Sequence, residues 1–275
     1  MRGHTDGGAA MMADLSPAAN MPHEGMRNAA QAIALHADSA VDIATTDLDV
    51  APEVVRALAR LLSASEMARA SRFIRNRDRD RFIVARGRLR QLLAARLDEQ
   101  PESVEITYGA HGKPALAPGI GGPSDLRFNV SHCENLAVYA FASGREIGVD
   151  VEAVRAIPDA DDIAARFFSR RETAAYLALM PRDRPLGFFN CWTRKEAFIK
   201  AIGEGLSHPL DRFDVTLTPV EPARILRVAD KPGERCGWAL HSFSPAPGFV
   251  AAVVVRDCAS LSASAANPEA SWTLA

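Results

Sequence analysis

Three acidic residues and one lysine have the types and spacing that could do chemistry in this chain. Asp150 and Glu152 alternate with apolar neighbours across residues 147–152, the period of a strand with one buried face, so both carboxylates point to the same side. Glu196 and Lys200 are four residues apart and share a helix face. Converging carboxylates favour a hard cation such as Mg²⁺, which one or two of them usually hold while substrate phosphates complete its shell. The alternative is a solvated strand end and a surface ion pair, both common and weak.

Further motifs accompany these residues in order along the chain. The strand motif Gly148-Val149-Asp150-Val151-Glu152 is followed about forty residues later by Trp192-x-x-Lys195-Glu196-Ala197-x-x-Lys200. Three more motifs complete the set: Gly112-Lys113-Pro114, Phe128-Asn129-Val130-Ser131-His132 and Gly203-x-Gly205-Leu206. Over residues 48–256 the set resembles the 4'-phosphopantetheinyl transferases, in their larger, pseudo-dimeric (Sfp-type) form.

The resemblance implies a reaction and roles for the four residues. The 4'-phosphopantetheine arm of coenzyme A would move to a serine of an apo acyl or peptidyl carrier protein, releasing adenosine 3',5'-bisphosphate. Asp150, Glu152 and Glu196 are expected to hold Mg²⁺, with Mn²⁺ as the alternative ion. Glu196 is also the candidate base for the serine hydroxyl, directly or through a water, and Lys200 is the candidate to stabilise or protonate the leaving phosphate.

The resemblance also assigns contacts to coenzyme A. Lys113 and Pro114 lie in a turn expected along its adenine and 3'-phosphate, although a lone Gly-Lys-Pro is equally typical of an ordinary loop. Ser131 and His132 come at the end of a predicted strand and are expected to contact the 3'-phosphate. Taken alone, a histidine is more often structural than a ligand.

Basic residues elsewhere extend this set of expected contacts. Residues 69–90 are dense in arginine, and Arg81 is the position that matches a 3'-phosphate contact of the larger transferases; a solvated helix face is the alternative for most of these arginines. Lys195 is expected at the phosphates, with a solvent-facing lysine as the alternative. The candidates for binding the carrier protein are Phe167, Phe168, Arg170 and Arg171.

The elements that must position these residues are predicted from periodicity and end signals. Residues 147–152 form a strand, and a helix runs from Trp192 to Gly203, where glycine ends it. A loop is predicted from Pro181 to Pro185, before that helix. Asp78 to Leu97 has an amphipathic stripe, and Leu126 to Ser131 alternates as a strand that delivers His132.

The predicted fold class is α+β. The resemblance implies two similar α/β subdomains related by pseudo-twofold symmetry, with the active site in the cleft between them. The predicted divisions are a disordered leader at 1–38, an N-terminal subdomain with the coenzyme A contacts at 39–145, a C-terminal subdomain with the metal carboxylates and catalytic helix at 146–257, and a flexible tail at 258–275. No internal repeat is evident in the sequence.

Composition narrows the functional class. The 275 residues are 48% hydrophobic and 24% charged, which suffices for a well-buried core. The formal charge of -2 argues against a general nucleic-acid binder. No apolar run approaches membrane-spanning length, no signal peptide is evident, and the four cysteines lack metal-site spacing. These features predict a cytoplasmic protein with reduced thiols, and the pseudo-dimeric type is expected to be a monomer.

Two rival functions remain open at the level of sequence. A non-catalytic member of the family would bind coenzyme A or carrier proteins for regulation, but every acidic position that the chemistry needs is filled here. A metal-dependent phosphohydrolase with a coincidental carboxylate cluster would explain neither Lys113 nor the Ser131-His132 pair. The pathway of the carrier, whether fatty-acid, polyketide or nonribosomal peptide biosynthesis, is not encoded in these motifs.

Overall fold

A computed structural model describes residues 31–34, 40–118, 125–205, 208–229 and 237–257 of the chain. Its helices and strands follow in two successive groups. The N-terminal half holds β1 (Gln31–Ala34), β2 (Ala40–Asp47), α1 (Pro52–Ala59), α2 (Ala64–Ala70), α3 (Asn76–Leu97), β3 (Ile106–Tyr108), β4 (Pro114–Leu116), β5 (Leu126–Cys133) and β6 (Leu136–Ser143). The C-terminal half holds β7 (Ile147–Ala153), α4 (Ala160–Phe167), α5 (Arg170–Leu177), α6 (Arg184–Ile202), β8 (Phe213–Val215), β9 (Ile225–Val228), β10 (Trp238–Phe243) and β11 (Phe249–Arg256).

Each half is built on an antiparallel sheet with a long helix packed on it. The N-terminal sheet has the strand order β1-β2-β6-β5 and the C-terminal sheet the order β10-β11-β7, while β3–β4 and β8–β9 form separate hairpins. Leu89 and Leu93 of α3 share a buried cluster with Tyr139 of β6. Phe198 of α6 shares another with Val254 of β11. The remaining apolar faces of both sheets meet in a third cluster, so the two halves form one continuous core.

Strand β7 is buried on both sides, and its alternation separates two kinds of environment. Val149 and Val151 lie in the cluster that the two sheets share, at 0% and 1% exposure. The alternate residues Gly148, Asp150 and Glu152 face helix α6 instead. The strand therefore presents its carboxylates to the helix that carries Glu196.

The two halves repeat the same order of elements. Apart from β1, which precedes this repeat, each half starts with a strand of the main sheet (β2 or β7) and continues through two short helices and one long helix. A 3₁₀ turn follows, at Pro101–Ser103 or Leu210–Arg212, and then a short hairpin and two further strands of the sheet. Strand orders β2-β6-β5 and β7-β11-β10 correspond. The prediction of an α+β fold with two similar subdomains is confirmed.

The repeat extends to one buried side-chain arrangement at the start of α2 and of α5. Ser63 caps α2 in a capping box with Glu66, and Ser169 caps α5 in the same way with Glu172. Both glutamates are buried, at 5% and 1% exposure, and each pairs with a cation on the long helix that follows. These cations are Arg90 on α3 and Lys195 on α6. One cap and one buried ion pair therefore fix the long helix in each half.

Two predicted boundaries are wrong. Residues 31–34 were expected in a disordered leader, but they form β1, paired antiparallel with β2. Helix α6 begins at Arg184, inside the predicted loop at Pro181 to Pro185, because a proline is tolerated in the first helical turn, where its missing N–H has no partner to lose. The predicted end of this helix is confirmed, since Gly203 caps it with a φ of 77°.

Some predictions fall outside the described residues. These are the rest of the leader (residues 1–30 and 35–38), the tail at 258–275 and Leu206 of the glycine motif. Among the helices that the structure describes, none is long and apolar enough to cross a membrane.

Candidate active site

The close approach of α6 to β7 depends on Gly148. A Cβ atom at this position would lie 2.1 Å from the carbonyl oxygen of Ala197 and 2.3 Å from the backbone nitrogen of Ala201. Both contacts are to helix backbone, which cannot rotate away, so only glycine permits this spacing. The glycine of the Gly-x-Asp-x-Glu motif thus lets the helix that carries Glu196 and Lys200 lie directly on the carboxylate strand.

Asp150 is the centre of a small buried network. Its Oδ1 accepts a hydrogen bond from Lys200 Nζ at 2.6 Å and another from Ser131 Oγ at 2.9 Å. Lys200 Nζ also lies 3.1 Å from Ser131 Oγ and donates to it. The other oxygen, Asp150 Oδ2, is buried without a hydrogen-bond partner. A buried carboxylate oxygen without a partner is costly, so this atom marks a place where a ligand would be stabilised.

Glu152 and Glu196 share this environment and carry perturbed pKa values. Burial raises the pKa of Glu196, and the charges of Asp150 and Glu152 raise it further, while Lys200 opposes them. Burial also raises the pKa of Glu152, with a contribution from Asp150 against the hydrogen bond from Cys133. The mutual effects show that the three carboxylates lie within electrostatic reach of one another.

The carboxylates fit a hard cation by their chemistry. Asp150 Oδ2 has no partner, and Glu196 makes no hydrogen bond or ion pair within the described part of the chain. As the side chains stand, no set of three or more His, Cys, Asp or Glu residues among those described is arranged to hold a metal ion. The ammonium of Lys200 instead lies against Asp150 and supplies the nearby positive charge. An all-oxygen set of carboxylates is the donor type that Mg²⁺ prefers.

His132 lies beside this network and belongs to the N-terminal half. Its pKa is lowered because surrounding atoms exclude water from part of the ring and because Lys200, Arg69 and Arg86 place positive charge near it. Positive charges from both halves therefore lie near the ring. Such a concentration of positive charge favours a phosphate group.

Lys113 joins the two halves at the end of α6. Its Nζ donates to the carbonyl oxygen of Ala201 at 2.8 Å and to Glu146 at 2.8 Å. The preceding turn is tight, with Gly112 at a φ of 80°, and Pro114 begins β4. The Gly-Lys-Pro turn is thus held against the end of α6.

Arg81 is committed to an ion pair in this structure. Its guanidinium donates two hydrogen bonds to Asp49, at 2.6 Å and 2.5 Å, and these hold the pKa of Asp49 below its usual value. It is not among the charges that act on His132, whereas Arg69 and Arg86 are. The predicted contact of Arg81 with a 3'-phosphate stays a prediction.

Lys195 has a structural position that rules out both sequence-based interpretations. It is 0% exposed, pairs with Glu172 at 2.8 Å, and donates to the carbonyl oxygens of Leu210 and Phe213 at 2.6 Å each. All three of its donors are used inside the C-terminal core, so it neither contacts phosphates nor faces solvent. The prediction of a phosphate contact is wrong.

Three residues near the site were missed as individual candidates. Arg69 and Arg86 lie in the arginine-rich stretch that the sequence did reveal, but spacing alone could not show which arginines place charge near His132. Arg86 also pairs with the buried Glu66, at 3.5 Å. Cys133 donates its thiol hydrogen to Glu152 Oε2 at 3.3 Å. The only signal for it was its place two residues after Ser131, on the same face of β5.

Comparison with known families adds independent information. Residues 146–254 match the family model described as the 4'-phosphopantetheinyl transferase superfamily. Residues 50–144 match the model described as 4'-phosphopantetheinyl transferase, N-terminal. The two matches divide the chain between β6 and β7, where the two halves of the structure meet.

Individual relatives agree with the family models. The 4'-phosphopantetheinyl transferase HetI of Nostoc sp. is 38% identical over 208 residues, which are 76% of this chain and 84% of that protein. The 4'-phosphopantetheinyl transferase Sfp of Bacillus subtilis is 31% identical over 57% of this chain and 66% of its own. A solved structure, Helicobacter pylori holo-(acyl-carrier-protein) synthase in complex with coenzyme A, is 21% identical with a TM-score of 0.32, covering 40% of this chain and 99% of that one.

Proposed function

The chain belongs to the 4'-phosphopantetheinyl transferase superfamily, and we propose from that premise that it moves the 4'-phosphopantetheine arm of coenzyme A onto a serine of an apo carrier protein. The observation that carries the proposal is the junction of β7 and α6. There Asp150 keeps an unpaired buried oxygen beside Glu196 and Lys200, facing the positive region around His132. This arrangement supports the proposal, because transfer from a diphosphate donor requires acidic groups for a metal ion beside basic groups for phosphate.

The reaction exchanges one phosphorus–oxygen bond for another. The serine oxygen attacks the phosphorus that carries pantetheine and forms the new ester bond. The bond from that phosphorus to the bridging oxygen breaks, and adenosine 3',5'-bisphosphate leaves with the electron pair. The serine proton passes to a base, and a serine hydroxyl needs such a base because it is a weak nucleophile near neutral pH.

We propose Glu196 as the base. It is half-buried, its raised pKa makes it a better proton acceptor than an ordinary glutamate, and no hydrogen bond or ion pair within the described residues occupies it. Lys200, one turn further along α6, carries the positive charge that suits the leaving phosphate. To play that role its ammonium must leave Asp150 when the substrate binds.

We infer that Asp150, Glu152 and Glu196 would hold Mg²⁺, or Mn²⁺ in its place. The support is the all-oxygen donor set and the unpaired Asp150 Oδ2. A bound divalent ion would neutralise charge on the diphosphate; unit charges about 4 Å apart interact by roughly 4 kcal/mol even at an effective dielectric near 20. The contacts proposed for coenzyme A are Ser131, His132, Lys113, Pro114 and Arg81, joined by Arg69 and Arg86.

The carrier protein is proposed to dock on a basic groove of the C-terminal half. The groove has a volume of about 570 Å³ and is lined by Arg166, Arg170, Arg171, Arg212 and Arg227, with Asp211 and Asp214 as its acidic members. Carrier proteins present an acidic helix beside the modified serine, which such a surface complements. Phe168, one of the expected contacts, also lines the groove but is only 3% exposed.

A cytoplasmic monomer is also proposed. Both halves that build the site come from one chain, so a second copy is not needed to complete it. Cys133 and Cys191 are free thiols, which suits a reducing compartment.

Mass spectrometry tests the function directly. Purified protein, coenzyme A and Mg²⁺ should add the mass of phosphopantetheine to an apo carrier, and chelation of the metal should abolish the addition. A panel of carriers from fatty-acid, polyketide and peptide synthesis would identify the pathway. No mass change across the whole panel, with coenzyme A still bound, would favour the regulatory binder instead.

A further inference from the structure

A row of side chains on β5 meets the carboxylate strand β7 across the boundary between the halves. Asn129, Ser131 and Cys133 are alternate residues and share one face of β5. The Asn129 side-chain oxygen accepts from the backbone N–H of Val149 at 2.9 Å. Ser131 donates to Asp150 and Cys133 donates to Glu152, at 2.9 Å and 3.3 Å. Both strands are edges of their sheets, and side chains join them here.

Each proposed metal carboxylate of β7 therefore receives one hydrogen bond from the other half. The hydrogen bond matters for Glu152, because a glutamate side chain has several rotatable bonds. Holding it in one conformation costs entropy, which the hydrogen bond helps to offset. Its Oε2 also lies 3.6 Å from Arg155, but the arginine side chain is 53% exposed and its charge is screened by solvent. The contact from Cys133 differs, because this residue is half-buried and lies on a regular strand, β5.

We propose that Cys133 is a positioning residue that fixes the Glu152 carboxylate for metal binding. The inference rests on the proposed function, since it assumes that Glu152 is a metal ligand. An independent observation supports a cation site at this place: Asp150 Oδ2, on the same face of β7, is buried without a partner. Residues that orient metal ligands typically contribute 10–100-fold to metal affinity. Cys133 would thus make the geometry of the metal site depend on how the two halves pack.

The thiol has a second contact that the experiment must separate from the first. Cys133 also packs against the apolar cluster shared by the two sheets. Cys133→Ser keeps a donor and loses apolar volume, Cys133→Val keeps apolar volume and loses the donor, and Cys133→Ala loses both. Donor and volume therefore vary independently across the three variants.

Mn²⁺ binding, followed by electron paramagnetic resonance without coenzyme A, is the direct measurement. We expect Cys133→Val and Cys133→Ala to weaken binding about 10-fold or more, and Cys133→Ser to stay within about threefold of the unaltered protein. The Mg²⁺ concentration for half-maximal activity should rise in the same two variants while kcat at saturating Mg²⁺ is largely kept. Thermal unfolding of each variant checks that the fold is intact.

Two results would overturn the inference. Binding of Mn²⁺ by Cys133→Val and Cys133→Ala as tightly as by the unaltered protein would show that Glu152 needs no donor. Loss of affinity in Cys133→Ser equal to that in Cys133→Ala would show that sulfur volume is what matters. Asp150→Asn separates this inference from the proposed function: if the unaltered protein and Asp150→Asn bind Mn²⁺ equally, the metal site itself is wrong.

Discussion

At the scale of single residues, the candidate site holds carboxylates in an unfavourable electrostatic environment, which the proposed reaction would use. Glu196 and Glu152 are partly buried near Asp150, and burial together with these neighbouring charges raises the pKa of both glutamates. A carboxyl whose pKa is raised in the folded protein destabilises the fold once it ionises. That destabilisation is absent below the ordinary glutamate pKa and develops as pH rises through the raised value. The metal-free protein therefore gives up stability at neutral pH to keep these groups charged.

Glu196→Gln should raise the stability of the metal-free protein and lower its activity. The substitution removes one of the three clustered negative charges, so the metal-free variant should unfold about 2–4 °C higher at pH 7, the shift that a gain of about 1 kcal/mol gives in a protein of this size. The gain should vanish below about pH 4.5, where the glutamate is neutral as well. Turnover should fall by at least about 10²-fold, because the base is lost.

Calorimetry across pH and steady-state kinetics on the same samples make this measurement. Glu105→Gln is the matched control, since Glu105 is exposed outside the site and its neutralisation should change neither quantity. Near-normal turnover in Glu196→Gln would remove the residue from its proposed role, whatever the effect on unfolding temperature.

At the scale of elements, the contact between β7 and α6 depends on Gly148. Gly148→Ala would place a Cβ against the helix backbone at Ala197 and Ala201, so α6 must shift and take Glu196 and Lys200 with it. Overpacking of this kind costs about 1–3 kcal/mol. We expect a lower unfolding temperature and a loss of turnover larger than the stability change alone would cause.

Gly187→Ala is the matched control for this prediction. Its added Cβ would meet Leu179 Cδ1 at 2.2 Å, the far end of a flexible side chain that can rotate away. Alanine is also favoured over glycine within a helix by about 1 kcal/mol. Stability and turnover in Gly187→Ala should therefore stay close to normal. Equal damage from both substitutions would mean that the Gly148 contact has no special importance.

The sequence predicted the period of β7 and the end of α6, because alternation and a terminal glycine are local signals. It could not orient α6 around its axis. Lys195 and Glu196 are adjacent. The lysine is the buried one because its partners, Glu172 and the carbonyl oxygens of Leu210 and Phe213, lie in other elements. The duplication was hidden for a related reason. The sequence contains two Ser-x-x-Glu spacings, at Ser63 and Ser169. The cations that pair with their glutamates lie 24 residues beyond Glu66, and about as far beyond Glu172, in otherwise dissimilar helices.

At the scale of the whole molecule, a duplicated fold carries one carboxylate site. When β6 and β11 are aligned by their first residues, their pairing partners place Ala44 of β2 where β7 has Asp150, and Thr46 where β7 has Glu152. On α3, the residue after Arg90 is Gln91, whereas on α6 the residue after Lys195 is Glu196. The N-terminal half thus lacks the acids and instead supplies Ser131, Cys133 and His132 to the other half. The two halves therefore differ in the side chains they contribute, and the proposed site needs both.

Positive charge is concentrated in the groove proposed for docking, and this leads to a prediction about binding of the carrier protein. The chain has a formal charge of -2, yet Arg170 and Arg171 line a groove and make no ion pair within the described residues. Replacing both with glutamate should raise the KM for an apo carrier by about 10-fold or more at low salt, while the KM for coenzyme A stays unchanged, because only the carrier meets this surface. The difference from the unaltered protein should shrink at high salt.

Arg182→Glu is the control, since Arg182 is exposed and is not part of the groove lining. If the groove variant keeps its KM for the carrier, docking occurs elsewhere on the molecule.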